Sequence, residues 1–251
     1  MPVDKKDVIS KNVRYAELVA DRKACRKCAG VINPSACAGG IHDTPEHIGP
    51  WSDWQGNLDA DIMVIGQEWG GTDNYLRQSG RDRDQDPTNA NLVMLMKEVG
   101  VLLPPPSDVQ GSSENGTVFF TNAVLCLRQG AATSRIAGQK PVKANVPANE
   151  VFSTCAQTFL RAQIELVEPG FVLVLGLLAW NGLMEAFSLP RRSTLKEVFE
   201  RGPFPLNKTT TAFPLFHCGS KLHLNRPLAL QMEDWKKAKA VMDRLALTPT
   251  Q

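Results

Sequence analysis

The stretch DIMVIGQEWG, residues 61 to 70, decides the fold of this chain. Its apolar run from Ile62 to Ile65 is short and rich in β-branched residues, which predicts a buried strand of a parallel sheet that stops at Gly66. Ligands of an open α/β sheet bind outside the carboxyl ends of the strands. Gln67 and Glu68 are therefore expected at the mouth of a crevice, unless this segment is a plain strand-to-loop turn whose polar side chains face water.

The remainder of the chain repeats the alternation of strand and helix. Further apolar runs predict strands over residues 117–124, 171–175 and 211–216. Helical spacing predicts helices over 4–24, 88–99 and 150–167, one past Gly176, and one after Pro227. Thr88 is the predicted cap of the second of these helices. This order predicts the α/β class, a three-layer α/β/α fold with a central, mostly parallel four-stranded sheet. We expect a single domain over residues 1–251, with a cysteine-bearing loop at 25–60 and loops at 72–86, 128–148 and 190–208.

The composition is that of a soluble globular protein. The chain has 251 residues, 43% of them hydrophobic, and a formal net charge of +2, so contact with nucleic acid would require a local basic patch. No apolar run is long enough for a membrane span and the N-terminus lacks an apolar signal core, so we expect a cytoplasmic protein without membrane contact. In that reducing compartment, six cysteines that include the pair Cys25 and Cys28 favour metal or cluster binding over disulfides.

Polar side chains follow three of the four predicted strands. These are Gln67 and Glu68 after the first strand, Asn122 near the end of the second, and His217 after the last. Because parallel strands end at one edge of the sheet, these side chains are expected at one crevice. An amide that accepts from a ring N–H and donates to the neighbouring carbonyl matches uracil and mismatches cytosine. The imidazole and the carboxylate suit the cleavage of a bond that separates charge.

Five segments in the same order resemble the uracil-DNA glycosylase superfamily, and they are most similar to its iron–sulfur branch. The segment 66–70, GQEWG, resembles the first motif of the superfamily, and 55–61, QGNLDAD, resembles the approach to it. The segment 121–126, TNAVLC, is similar to the one that holds the uracil-reading Asn and a cluster cysteine. Cys155 with the following helix resembles the last cluster cysteine, and His217 with residues 220–227 resembles the second catalytic motif and its DNA-inserting loop.

The resemblance implies an enzyme that hydrolyses the N-glycosidic bond of uracil in single- or double-stranded DNA and leaves an abasic site. Glu68 would position water or face the cationic sugar, His217 would stabilise the uracil oxygen, and backbone amides near Gln67 would assist. Asn122 would read the base, with Trp69 stacking on it and Gly66 and Gly70 lining its pocket. After base flipping, Leu222 or Leu224 would fill the vacated stack, and the residues near phosphates would be Lys221, His223 and Arg226.

The resemblance also implies a four-iron, four-sulfur cluster on Cys25, Cys28, Cys126 and Cys155, because such clusters favour four thiolates. Its expected role is structural. The alternative is that Cys126 and Cys155 are core residues, while the first pair binds zinc or nothing. Cys37 and Cys218 would be spare thiols.

Departures from the family pattern leave alternatives open. Glu68 occupies the third position of the first motif, so Asp73, Asp84 or Asp86 is an alternative carboxylate. Gly70 falls where one branch has a Tyr that shuts out the thymine methyl, which leaves thymine and hypoxanthine as alternative bases. Another alternative is a non-catalytic protein of the same fold that binds damaged DNA, or an α/β domain unrelated to nucleic acid. We expect a monomer.

Overall fold

The structure is a computed structural model, and it describes residues 10–49, 54–55, 58–108, 118–129, 149–219 and 226–245. Strands and helices alternate along the chain, as predicted. The strands are β1 Val31–Ile32, β2 Ile62–Gly66, β3 Val118–Asn122, β4 Leu127–Arg128, β5 Phe171–Leu175, β6 Phe204–Pro205 and β7 Thr211–Leu215. The helices are α1 Lys11–Ala24, α2 Thr72–Arg77, α3 Pro87–Glu98, α4 Asn149–Cys155, α5 Arg161–Val167, α6 Leu177–Ala186, α7 Leu195–Arg201 and α8 Leu228–Arg244.

A five-stranded sheet with the order β3-β2-β5-β7-β6 forms the centre of the fold. The first four strands in this order are the four predicted ones, and they are parallel to one another. The fifth, β6, pairs antiparallel with β7 at the edge of the sheet and was not predicted. It has only two residues, one of them a proline, so it carries no apolar run by which a strand is recognised.

Helices cover both faces of the sheet, which confirms the three-layer α/β/α fold. Alternate residues of β2 enter two separate cores, with Met63 and Ile65 in one and Ile62 and Val64 in the other. The first core includes residues of α1, α4, α5 and α6, and the second includes residues of α3 and α8. No described helix is long and apolar enough to cross a membrane.

Three local predictions are wrong. The segment 190–208, predicted as a loop, contains the helix α7. Residues 72–77 form the helix α2 instead of a surface loop, and its Tyr75 is buried. The predicted cap of α3, Thr88, is also wrong, because the capping side chain belongs to Asp86, which accepts from the Thr88 N–H at 2.9 Å. A two-stranded ribbon of β1 and β4 lies apart from the main sheet and pairs Val31 with Arg128. This ribbon connects the cysteine-bearing loop to the segment after β3.

Candidate functional site

The carboxyl ends of the central strands surround a cavity of about 480 Å³. Each predicted side chain at these strand ends lines it, so the structure brings Gln67, Glu68, Asn122 and His217 together. Gly66, Trp69 and Gly70 line it as well. The parallel register explains this arrangement, because Gly66 pairs with Asn122 and Leu175 pairs with Leu215 at the last positions of the ladders. The cavity therefore lies where an α/β sheet binds its ligands.

Asn122 presents an unused amide to this cavity. The residue is 1% exposed, and neither its Nδ2 nor its Oδ1 has a hydrogen-bond partner among the described residues. Buried polar atoms are nearly always paired, and leaving one unpaired costs about 1–3 kcal/mol. The neighbouring Thr121 follows the rule, since its hydroxyl donates to Gln163 Oε1 at 2.7 Å. An amide with a free donor and a free acceptor is suited to read the edge of a planar ligand.

Glu68 is a buried carboxylate with one cationic neighbour. Its Oε1 lies 3.2 Å from Arg128 Nε, while its Oε2 has no hydrogen-bond partner among the described residues. Burial raises the pKa of the Glu68 carboxyl above its ordinary value, and the nearby Arg128 charge opposes that rise. One oxygen is thus available for water or for a developing positive charge. Sequence reasoning missed Arg128, because it belongs to a strand of only two residues and begins a segment predicted as a loop.

His217 is held as a neutral hydrogen-bond donor. The Gly219 N–H donates to its Nδ1 at 3.0 Å, so in the neutral ring the proton lies on Nε2. Burial lowers the pKa of His217, Asp86 raises it, and Arg128 lowers it. The imidazole is therefore suited to donate to an oxygen on which negative charge accumulates.

The Gln67 side chain reaches the cavity because the residue that it packs against, Gly176, has no side chain. A Cβ at Gly176, the residue that joins β5 to α6, would lie 2.6 Å from Gln67 Nε2. Gly176 also has a φ of +93°, which side chains rarely adopt. The backbone N–H groups of Ala123 and Val124 donate to the carbonyls of Gly66 and Gln67, which fixes the turn after β2.

Trp69 and Gly70 form part of the wall at this turn. The Trp69 ring packs edge-on against Tyr75 of α2, with 5.3 Å between the ring centroids, and its indole N–H has no hydrogen-bond partner among the described residues. At Gly70, a Cβ would meet no atom of the described residues within 4 Å. The wall is therefore aromatic on one side and open beside Gly70.

The alternative carboxylates occupy different positions. Asp86 lines the cavity and also caps α3. Asp73 and Asp84 do not line the cavity. Asp84 instead accepts a hydrogen bond from the Ser107 N–H at 2.8 Å. Asp82 lines the cavity and was not predicted. Sequence reasoning also missed the polar lining residues Asn74, Gln78, Thr88 and Asn89. They lie in α2, in the segment between α2 and α3, and in the first turn of α3. None of them follows a predicted strand, so no feature of the sequence placed them at the cavity.

The predicted DNA contacts fall mostly outside the described residues, namely Lys221, Leu222, His223 and Leu224. Arg226 is described, and it engages the protein itself. Its Nε donates to Asp234 Oδ2 at 2.8 Å, and its guanidinium lies 5.1 Å from the centroid of the Phe216 ring. These contacts anchor the start of α8, so the charge of Arg226 is largely satisfied within the chain.

The four cysteines implied as cluster ligands line one small cavity of about 90 Å³, namely Cys25, Cys28, Cys126 and Cys155. Burial, together with the neighbouring Cys25 and Cys28, raises the pKa of Cys126 to about 12, so a thiolate at Cys126 is costly without a cation. Cys155 lies at the start of a π-helical turn, Ala156–Leu160, between α4 and α5, and its Sγ accepts from the Leu125 N–H at 3.4 Å. Cys37 and Cys218 are buried elsewhere and do not line this cavity.

This donor set fits a cluster. Among the described residues, no three His, Cys, Asp or Glu side chains are arranged to hold a single metal ion. The four thiolates of a four-iron cluster bind different iron atoms, so they surround a volume instead of converging on a point. Four cysteines around one cavity, with Arg22 and Arg26 beside them to offset negative charge, match that requirement.

The sequence matches the uracil DNA glycosylase superfamily over residues 54–243. This range contains β2, β3, β5 and β7, and with them every described residue predicted for catalysis and base binding. Among curated proteins, none matches the chain. The family match covers most of the sequence and agrees with the three-layer fold and with a polar cavity at the strand ends. The chain therefore belongs to the uracil DNA glycosylase superfamily, a family of DNA glycosylases.

Proposed function

We propose that this protein excises uracil from DNA by hydrolysing the N-glycosidic bond. The observation that carries the proposal is the Asn122 amide, which is buried with a free donor and a free acceptor in the cavity. Uracil offers a ring N–H beside a carbonyl and satisfies both amide atoms, whereas the ring nitrogen of cytosine at that edge is an acceptor and its neighbour is an amino group. Flipping the nucleotide out of the duplex costs about a few kcal/mol, which these contacts offset.

The residues around the cavity divide the work of bond cleavage. The bond between C1′ of the sugar and the ring nitrogen breaks, and its electron pair leaves with the base. The Nε2–H of His217 donates to the base oxygen on which that charge accumulates. The Glu68 carboxylate faces the cationic sugar and orients a water molecule. As the water oxygen bonds to C1′, its proton passes to Glu68 and then to the departing base, so the products are the free base and an abasic site.

We also propose that Cys25, Cys28, Cys126 and Cys155 hold a four-iron, four-sulfur cluster. When bound, the cluster would act as a structural crosslink between distant segments, because electron transfer has no part in this hydrolysis. The thiols come from the loop after α1, the segment between β3 and β4, and the end of α4. Binding would also relieve the cost of burying these thiols.

The test is release of base from labelled oligonucleotides that carry a single uracil, followed by alkali to cleave abasic sites. Single strands and duplexes are assayed in parallel. Glu68→Gln, Asn122→Ala and His217→Gln should each lower the single-turnover rate by about 100-fold or more, in the range of other electrostatic catalytic groups. Arg161→Met is the control, because its ion pair with Glu165 lies on the surface. Binding without base release in the wild type would instead indicate a damaged-DNA-binding protein.

A second candidate is the excision of another base, such as thymine opposite guanine or hypoxanthine. The space beside Gly70 favours it, because a Cβ there meets no atom of the described residues within 4 Å, which leaves room for a methyl group on the base. The same assay with these bases separates the candidates. Faster release of thymine or hypoxanthine than of uracil would replace the first proposal.

A further inference from the structure

Arg128 supplies the one permanent positive charge among the described residues that line the cavity. The carboxylates there belong to Glu68, Asp82 and Asp86. Arg128 forms an ion pair with Glu68, with its Nε 3.2 Å from Oε1. The two side chains are 26% and 7% exposed, so water screens this pair weakly.

The backbone fixes Arg128 independently of its partner. The Arg128 N–H donates to the Gly70 carbonyl at 2.7 Å, and Arg128 forms an isolated parallel bridge with Gly71. On its other side, Arg128 pairs with Val31 in the ribbon of β1 and β4. The guanidinium is thus brought to the turn after β2, where Glu68 lies, by main-chain hydrogen bonds.

The two groups proposed to act on the substrate require opposite protonation behaviour. Glu68 faces a cationic sugar only when it is ionised, but burial favours its neutral form. His217 donates from a neutral ring, but the nearby Asp86 favours the charged form. A positive charge at Arg128 counters both tendencies, because it attracts the Glu68 carboxylate and repels a proton on His217. No other cation among the described lining residues faces these two groups.

We propose that Arg128 is a positioning residue that keeps the Glu68 carboxylate ionised and directed at the substrate while His217 remains a neutral donor. The inference deepens the proposed glycosylase function and rests on it. Arg128 acts through its neighbours and does not touch the reacting bond. The shape of its side chain matters less than its charge in this role, so lysine is the conservative replacement.

The first test is the pH profile of kcat/KM for base release. With Arg128→Met, the acid limb that reports ionisation of Glu68 should move to higher pH, while Arg128→Lys should keep it near the wild-type position. A displacement of about one pH unit lowers kcat/KM about tenfold at a fixed pH on that limb. Arg161→Met, which removes an arginine from a surface pair, should leave the profile unchanged.

The second test measures the carboxyl group directly by infrared spectroscopy. Arg128→Met should show the carbonyl band of a protonated carboxyl at neutral pH, and the band should vanish in the double variant with Glu68→Gln. In the wild type, where Glu68 is expected to be ionised, the spectrum should contain no protonated-carboxyl band that disappears in Glu68→Gln. This measurement requires no enzymatic activity. The comparison of wild type with Glu68→Gln leaves Arg128 unchanged, so it can be made even if Arg128→Met does not fold.

The outcomes separate this inference from the function on which it rests. Failure of wild-type protein to release any tested base would refute the glycosylase proposal, and the infrared bands would still report the charge of Glu68. An active wild type whose acid limb and carboxyl bands are the same in Arg128→Met would overturn the role of Arg128. A protonated Glu68 in active wild-type protein at neutral pH would overturn it equally.

Discussion

Replacing Asn122 by leucine should make the protein more stable while abolishing its activity. Leucine has the same number and branching of side-chain heavy atoms as asparagine, so the substitution removes two polar atoms without opening a void. Both atoms are buried and have no partner among the described residues. Each such atom costs about 1–3 kcal/mol, and water in the cavity recovers part of that cost, so we expect a net gain of about 1–3 kcal/mol.

The gain is measurable as a rise in melting temperature. For a chain of this length, 1 kcal/mol corresponds to about 2–4 °C, so the melting temperature of Asn122→Leu should rise by about 2–12 °C. Base release from a uracil-containing oligonucleotide is measured on the same samples and should be lost, because leucine offers neither donor nor acceptor to the base. The measurement should be made without DNA, since a bound ligand stabilises the folded state on its own account.

Thr121→Val is the matched control and should have the opposite effect on stability. Thr121 is the adjacent residue of β3 and is equally buried, but its hydroxyl donates to Gln163 Oε1. Valine would leave that oxygen without its donor and lower stability by about 1–3 kcal/mol. If Asn122→Leu melts below the wild type, or if both variants shift in the same direction, the amide is not an unpaired group kept for a ligand.

Three further predictions follow from the geometry. Gly176→Ala should displace Gln67 and lower excision about tenfold or more. Gly202→Ala should affect stability alone, because Gly202 has a similar φ of +78° but its Cβ would meet no atom of the described residues within 4 Å. Melting curves and single-turnover rates compare the two variants. His217→Gln should reduce the loss of stability in acid. Burial lowers the His217 pKa below 6.5 in the folded state, so the wild type loses stability as the pH falls through 6.5. Urea midpoints measured over a pH series test this. The proposed cluster ligands are Cys25, Cys28, Cys126 and Cys155. Replacing any one of them by alanine should lower the iron and sulfide content per chain, whereas Cys37→Ala should leave it unchanged.

Each of these has an outcome that contradicts it. Equal loss of excision in Gly176→Ala and Gly202→Ala would mean that backbone strain, and not the contact with Gln67, lowers the rate. An unchanged pH dependence of the urea midpoint in His217→Gln would show that His217 titrates alike in the folded and unfolded states. Full iron content in any of the four cysteine variants would remove that residue from the ligand set.

Local sequence was a poor guide where an element is short. Helix α2 has six residues, and the charged segment around residues 81–84 next to it indicated a surface loop. Six residues complete fewer than two helical turns, so no apolar periodicity can emerge. What stabilises α2 is the packing of buried Tyr75 against Trp69, a contact that depends on the turn after β2. The same limit applies to β6.

The sequence alone determined the central sheet, the covering helices and the residues at the strand ends. Runs such as 62–66 and 171–175 are buried on both faces, so they are apolar throughout and mark strands of a parallel sheet, whose ends must share one edge. Only the tertiary structure decided that Arg128 pairs with Glu68, that Gly176 makes room for Gln67, and that four cysteines from three distant segments line one cavity. These contacts join residues far apart in the chain, and they depend on how loops pack onto the sheet, which no local pattern encodes.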